Sequence, residues 1–151
     1  MRILMVCLGN ICRSPIAEGV LKHMAAKRQL NWIIESAGTE SYHVGEPPHR
    51  YSQKICKAKG IDISQQRARQ FKRSDLNQYD KIYALADDVL DEIRRIAGRH
   101  ENLHKVDLLL NEVHDSCNVS VPDPWYGGED GYLPVYELIE QACEAIIRKY
   151  G

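Results

Sequence analysis

The fold is decided by the stretch Ile3-Leu4-Met5-Val6-Cys7-Leu8-Gly9-Asn10-Ile11-Cys12-Arg13-Ser14-Pro15, near the start of the chain. Its first four residues are apolar and predict a short buried strand. Ser14 followed by Pro15 predicts a helix that begins there, with Ser14 as the N-cap. A strand, a short loop and a helix in this order are typical of an α/β architecture.

The loop between this strand and this helix predicts an anion-binding site. Five residues, Leu8 to Cys12, can curl so that successive backbone N–H groups face a common centre. The helix N-terminus adds partial positive charge, and the planar fork of Arg13 can hold two phosphate oxygens. This field favours the nucleophilic thiolate of Cys7, to which Ser14 can donate a hydrogen bond. The alternative, a turn with a buried structural cysteine, leaves Arg13 unexplained.

A second chemical segment is Val121-Pro122-Asp123-Pro124-Trp125-Tyr126-Gly127-Gly128. Pro124 disfavours helical geometry for Asp123, and the proline and glycine content predicts a loop. Asp123 is therefore expected to act as a general acid, and Trp125 and Tyr126 as flat walls for an aromatic group. Taken alone, the segment is more typical of a surface turn, and it is the first segment that favours a chemical role.

Together, the two segments resemble the low-molecular-weight protein tyrosine phosphatases. The resemblance covers essentially the whole chain, including Glu35-Ser36-Ala37-Gly38-Thr39, Arg67-Ala68-Arg69-Gln70 and the closing helix. It implies hydrolysis of tyrosine-phosphorylated proteins, with phosphate or a similar oxyanion as product or inhibitor.

The resemblance also implies the role of each reacting side chain. Cys7 is the nucleophile, Arg13 holds the phosphoryl oxygens, and Asp123 first donates and then accepts a proton. Asn10 and Ser14 have structural roles within a phosphate-binding segment that runs from Leu8 to Ser14. No metal ion or other cofactor is expected, because Arg13 and the backbone amides supply the positive charge. The rate is therefore expected to depend on pH in a bell-shaped curve on the acidic side of neutral.

Four positions are expected to shape the substrate pocket. Tyr42 corresponds to an aromatic wall in the family and pairs with Trp125, although an exposed loop tyrosine is the alternative. Ile11 is an apolar wall inside the loop. Related arginine phosphatases usually have threonine there and lack the paired aromatic residues. Ile11, Trp125 and Tyr126 therefore favour phosphotyrosine over phosphoarginine.

Three positions depart from the family pattern. His49 stands where many relatives have aspartate, and Gln66 where many have histidine, although its amide can still hydrogen-bond toward the loop. Ala86 replaces a residue of a Met-Asp pair. These changes are expected to affect the rigidity of the loop and the rate of catalysis. They do not touch Cys7, Arg13 or Asp123.

Alternating strand and helix patterns predict a three-layer α/β fold of the flavodoxin-like kind, in a single domain of residues 1–151. Its four-stranded parallel sheet has helices on both faces. Strands are expected at 2–6, 32–35, 81–85 and 105–109. Helices are expected at 15–28, at 51–59, after the third strand up to Gly98, and from 134 onward. The Cys7 loop then lies beyond the carboxyl ends of the strands, where ligands bind.

Composition excludes several other classes of protein. Lys and Arg number 20 against 21 Asp and Glu, which disfavours nucleic acid as a partner. No apolar stretch approaches the length of a membrane span, and the absence of a signal peptide predicts a cytoplasmic location. The five cysteines lack zinc-ligand spacing, and Cys56, Cys117 and Cys143 are scattered.

Three further hypotheses about function remain open. Arsenate reduction uses a similar loop but needs two further cysteines that relay a disulfide outward, and Cys56 and Cys117 are far apart in sequence. A binding module would recognise phosphotyrosine without turnover. The resemblance also makes Cys12 a candidate disulfide partner of Cys7, which would form a redox-gated switch compatible with catalysis.

Overall fold

The computed structural model describes residues 1–151, apart from the side chain of Tyr126. Four strands form one sheet: β1 (Arg2–Cys7), β2 (Ile33–Gly38), β3 (Lys81–Ala84) and β4 (Val106–Leu108). Their order is β2-β1-β3-β4, and all neighbours are parallel. The chain therefore winds to either side of β1, as expected for a doubly wound sheet.

Five helices connect and cover the strands: α1 (Arg13–Lys27), α2 (Arg50–Ala58), α3 (Asp75–Gln78), α4 (Asp87–Ala97) and α5 (Tyr132–Tyr150). The four-residue α3 is missing from the sequence prediction because so short a segment carries no periodic pattern. In the described part of the chain, no helix combines the length and the apolar character needed to cross a membrane.

Side-chain alternation along β1 builds a core on each face of the sheet. Ile3 and Met5 join the larger core, which contains buried side chains of α1 and α5. Leu4 and Val6 join a second core that contains buried side chains of α4. Because β1 is covered on both faces, its run of apolar residues is continuous rather than alternating. The prediction of helices on both faces is confirmed.

The predicted start of α1 is wrong. The helix begins at Arg13, Cys12 occupies the N-cap position, and Ser14 makes no capping bond. The Ser14 hydroxyl instead faces Cys7 and Asn10, so it is not available to the helix end. Pro15 still lies in the first turn. A backbone N–H there would have no acceptor within the helix, so the proline costs no hydrogen bond.

Other boundaries shift by smaller amounts. β2 extends to Gly38 because its end pairs with the end of β1, where Gly38 lies opposite Cys7. α5 begins at Tyr132, two residues before the proline that was expected to open it. α2 ends at Ala58, one residue earlier than predicted, and Gly60 lies two residues beyond it in the left-handed region, with φ of 79°.

Candidate active site

The loop after β1 is held open by hydrogen bonds on its outer side. The carbonyls of Cys7, Leu8, Ile11 and Cys12 accept these bonds, at 2.7 to 3.0 Å, from the N–H groups of Thr39, Glu40 and His49 and from the Ser52 hydroxyl. In a planar trans peptide the N–H points opposite to the carbonyl. The N–H groups of the residues that follow those four carbonyls therefore point into the loop, as an anion-binding nest requires.

Asn10 provides the sharp turn of this loop. Its φ is 58°, in the left-handed region, which asparagine tolerates better than most residues. Its side-chain amide donates to the hydroxyls of Ser14 at 2.7 Å and Ser36 at 2.9 Å, and its carbonyl oxygen accepts from the Arg69 N–H at 3.1 Å. These three bonds hold the turn from inside the protein. Gly9, the glycine of this loop, does not have a positive φ.

The Cys7 thiol lies at the floor of the loop with 2% of its surface exposed. Its Sγ is 3.0 Å from the Ser14 hydroxyl oxygen. Because the Asn10 amide donates to that oxygen, the hydroxyl proton remains available to the sulfur. Ser14 can therefore stabilise negative charge on Cys7, which is the second role expected for it.

The hydrogen-bond chain continues away from the sulfur into α1. The Ser36 hydroxyl donates to Glu18 Oε1 at 2.6 Å, and Lys22 donates to Glu18 Oε2 at 2.7 Å. Glu18 is buried, so these two bonds satisfy a carboxylate that would otherwise be costly to bury. The support of the loop thus reaches two turns into the helix.

Arg13 connects the loop to the acidic segment that follows β4. Its guanidinium is buried, and Nη1 donates to the Val121 carbonyl at 3.0 Å. Its Nη2 lies 3.7 Å from Asp123 Oδ2. Asp123 is extended, with φ of −81° and ψ of 115°, and its Oδ1 accepts from the Trp125 N–H at 2.9 Å. The extended geometry predicted from Pro124 is present.

The two segments enclose one cavity of about 180 Å³. It is lined by Cys7, Leu8, Gly9, Ile11, Cys12, Arg13, Tyr42, His43, Asp123 and Trp125. Asn10 and Ser14 lie behind this lining. The predicted wall formed by the Tyr126 side chain lies outside the described residues. Among the residues that are described, no three His, Cys, Asp or Glu side chains stand close enough to hold a metal ion.

Two histidines that the sequence analysis did not place in the pocket surround Trp125. Its ring centroid lies 5.7 Å from that of His43 and 5.6 Å from that of His49. Tyr42 lines the cavity as expected but is 77% exposed, so it is also an exposed loop tyrosine. In the sequence, His49 stood out only because it departs from the family pattern. That departure gave no indication that His49 contacts Trp125.

His49 is also the N-cap residue of α2, directly before Arg50. Its Nδ1 accepts a hydrogen bond from the Tyr51 N–H at 3.1 Å, in place of the usual oxygen cap. The ring stacks on Tyr132, with centroids 5.7 Å apart. Burial, with a smaller effect of the Arg50 charge, lowers the pKa of His49, so the neutral ring that can accept this bond is favoured.

Of the other cysteines, Cys12 lines the cavity, whereas Cys56 and Cys117 do not. Burial raises the pKa of Cys12 to about 11, and its Sγ lies 3.5 Å from the Tyr132 hydroxyl. Cys56 is fully buried, which raises its pKa to about 12, and Cys117 contacts the Leu110 carbonyl. Gln66 donates to the Pro15 carbonyl at 3.2 Å, so its amide does support the start of α1.

Known proteins resemble this chain along its whole length. The family model for low molecular weight phosphotyrosine protein phosphatase matches residues 2–150. The low molecular weight protein-tyrosine-phosphatase YfkJ of Bacillus subtilis is 40% identical over 147 residues, which cover 96% of this chain and 92% of that protein.

Solved structures agree with this assignment. The crystal structure of YfkJ from Bacillus subtilis superposes with a TM-score of 0.91 at 37% identity, over 99% of this chain and 93% of that one. A drosophila arginine phosphatase structure has the same TM-score of 0.91 at 31% identity, over 99% of this chain and 98% of that one. The chain therefore belongs to the low molecular weight phosphotyrosine protein phosphatase family.

Proposed function

We propose that this chain hydrolyses phosphotyrosine in proteins through a cysteinyl-phosphate intermediate, without a metal ion. Family membership supports the reaction. The observation that carries the residue assignment is the single cavity in which the thiol of Cys7, the guanidinium of Arg13 and the carboxyl of Asp123 meet. A module that only bound phosphotyrosine would have no use for the thiol and the carboxyl together.

In the first step, the Cys7 thiolate attacks phosphorus while the bond to the phenolic oxygen breaks. The inward N–H groups and Arg13 hold the three other phosphoryl oxygens and stabilise their charge. Asp123, protonated at this stage, gives its proton to the departing oxygen. The products of this step are the dephosphorylated tyrosine residue of the substrate and a phosphoryl group bonded to the Cys7 sulfur.

In the second step, water attacks phosphorus and the bond to sulfur breaks. Asp123, now a carboxylate, takes a proton from the water, and inorganic phosphate leaves. The hydroxyl of Ser14, 3.0 Å from Sγ, stabilises the thiolate that is released. The same carboxyl thus serves as acid and then as base, which supports the expected bell-shaped rate profile.

The walls of the cavity favour an aromatic phosphoester. Ile11 is buried against the loop, and Tyr42 and Trp125 flank the opening. We assign the same role to Tyr126. Phosphoarginine is the second candidate, because a neighbour of nearly identical fold is named an arginine phosphatase. Against it, the apolar Ile11 side chain gives a guanidinium no hydrogen-bond partner.

Two wider statements belong to this proposal. Residues 1–151 act as one catalytic domain, since the family model spans nearly all of them. The protein works in a reducing compartment such as the cytoplasm, because the mechanism requires a free thiol and all five cysteines are free in the structure.

Turnover of a phosphotyrosyl peptide, in the presence of a chelator and a thiol, tests the function. Peptides with phosphoserine and phosphoarginine serve as controls, and Cys7→Ser as the inactive variant. We expect phosphate release from the phosphotyrosyl peptide alone, abolished in Cys7→Ser. Preference for phosphoarginine would overturn the substrate assignment, and turnover by Cys7→Ser would overturn the mechanism.

A further inference from the structure

A second cavity, of about 330 Å³, lies between α2 and the start of α5. Its apolar lining comes from Tyr51, Ile55 and Ala58 on α2 and from Tyr132 and Leu133 on α5. We call these five residues the α2–α5 groove. Leu133 is 45% exposed in it, and an ion pair between Lys54 and Glu129 lies at its edge.

One imidazole separates this groove from the catalytic pocket. His49 contacts Trp125, which lines the pocket, with ring centroids 5.6 Å apart. On its other side His49 contacts Tyr51 at 5.1 Å and Tyr132 at 5.7 Å, and both of these residues line the groove. The rings of Trp125, His49 and Tyr51 thus contact one another in series between the catalytic pocket and the groove.

The geometry points to the α2–α5 groove as an accessory substrate site, which binds an apolar side chain close to the phosphotyrosine in the same protein substrate. This inference rests on the proposed function. The two ring-to-ring steps from Trp125 through His49 to Tyr51 are spanned by about three to four residues of extended peptide, at about 3.3 Å each.

A substrate is the occupant that this placement favours. The surface around the phosphotyrosine must face a folded protein or a peptide during turnover, and the groove is an apolar concavity separated from the catalytic pocket by His49. Trp125, which lines the catalytic pocket, is 47% exposed, and Leu133, which lines the groove, is 45% exposed. Covering the exposed apolar area of Leu133 with a leucine-sized side chain of the substrate is favourable.

A peptide scan tests the site. Phosphotyrosyl peptides of otherwise polar sequence carry one leucine, moved through the first four or so positions on each side of the phosphotyrosine. We expect one position, about three to four residues away, to raise kcat/KM by about tenfold over the alanine peptide, as a single apolar contact does in other pockets. Phenyl phosphate measures the chemistry alone.

Two variants block the groove with opposite charges. Leu133→Glu places a carboxylate in the first turn of α5, and Ala58→Arg places a guanidinium at the end of α2, so each charge suits its helix terminus. Both should lose the leucine preference and retain turnover of phenyl phosphate. The matched control is Ile33→Glu, which changes a side chain of equal exposure, 46%, at the opposite end of the sheet.

Each outcome is decisive. If kcat/KM is the same for every position of the leucine, or if the leucine preference persists in both variants, the groove is not a substrate site. The proposed phosphatase function would be unaffected. Equal loss of phenyl phosphate turnover in the variants would show damage to the catalytic site and would also overturn the accessory substrate site. Dimerisation of the wild type that Leu133→Glu abolishes, seen by sedimentation, would identify a second copy as the occupant. No turnover of either substrate by the wild type would instead overturn the proposed function.

Discussion

Arg13 Nη2 lies 3.7 Å from Asp123 Oδ2, so one guanidinium links the loop after β1 to the segment that carries the proposed proton donor. The same side chain donates to the Val121 carbonyl at 3.0 Å. In the mechanism that we propose, Arg13 therefore helps to hold Asp123 in place relative to the bound phosphate. This coupling makes the acid–base step sensitive to small displacements.

Replacing Asp123 by asparagine removes the proton donor and keeps the local structure. Asparagine Oδ1 can still accept from the Trp125 N–H, as Asp123 does at 2.9 Å. We expect kcat for phenyl phosphate to fall by about 10²- to 10⁴-fold, and by much less for p-nitrophenyl phosphate, whose leaving group needs little protonation. Steady-state assays of Asp123→Asn and of the exposed control Asp115→Asn measure this difference. Equal losses on both esters would exclude proton donation by Asp123.

Gly38 is a position where a single methyl group should disturb the phosphate loop. A Cβ there would lie 2.8 Å from the Leu8 carbonyl oxygen and 2.9 Å from the Asn10 nitrogen. Both contacts are backbone atoms of the loop, so the loop itself must move. We expect Gly38→Ala to lower kcat/KM by about tenfold or more and to destabilise the fold by about 1–3 kcal/mol.

Urea unfolding and steady-state kinetics measure these two effects. Gly128→Ala is the matched control, because a Cβ at Gly128 has no atom within 4 Å. Full activity and stability of Gly38→Ala would contradict the close approach of β2 to the loop.

His49 should make stability depend on pH. Its pKa in the folded protein is lowered from 6.5 by burial and by Arg50, so protonation favours the unfolded chain. The stability that neutral His49 contributes is complete above about pH 6.5 and is lost as the pH falls through the lower, folded value. His49→Asn keeps an N-cap acceptor for the Tyr51 N–H and removes the titration.

Urea unfolding at about pH 7.5 and about pH 5 compares the two proteins. We expect the wild type to lose more free energy of unfolding between these values than His49→Asn does. The exposed residue His114 supplies the control His114→Asn, which should behave as the wild type. An identical pH dependence in all three proteins would show that His49 titrates normally.

Cys12 should protect Cys7 during oxidation. Burial raises the pKa of Cys12 to about 11, which disfavours its thiolate. Since Cys7 is the proposed nucleophile, we expect peroxide to react first with Cys7. The sulfenic acid on Cys7 then condenses with the Cys12 thiol, with loss of water, and a disulfide forms. We expect peroxide-treated wild type to regain activity with thiol, and Cys12→Ser to remain inactive.

Peptide mass mapping after oxidation measures the Cys7–Cys12 linkage directly. Cys117→Ser is the control, since Cys117 does not line the catalytic cavity. Recovery of Cys12→Ser to the level of the wild type would show that Cys12 has no protective role.

The parallel α/β fold and the loop after β1 could be predicted from the sequence alone, and so could the residues that we propose for the reaction. These features are local: a continuous apolar run specifies β1, the spacing from Cys7 to Arg13 specifies the loop, and Pro124 specifies the extended Asp123. Each depends on neighbours within a few residues, and each is found in the structure at the expected place, apart from shifts at the ends of elements.

Tertiary structure alone decided how the local pieces meet. Ser14 turns its hydroxyl to the Cys7 sulfur rather than to the helix end, because the amide of Asn10 holds it there. His49 contacts Trp125 although the two are far apart in the chain. Such contacts join segments whose approach is set by the packing of helices on the sheet. No spacing within either segment encodes that packing, because it depends on the side chains of the whole core.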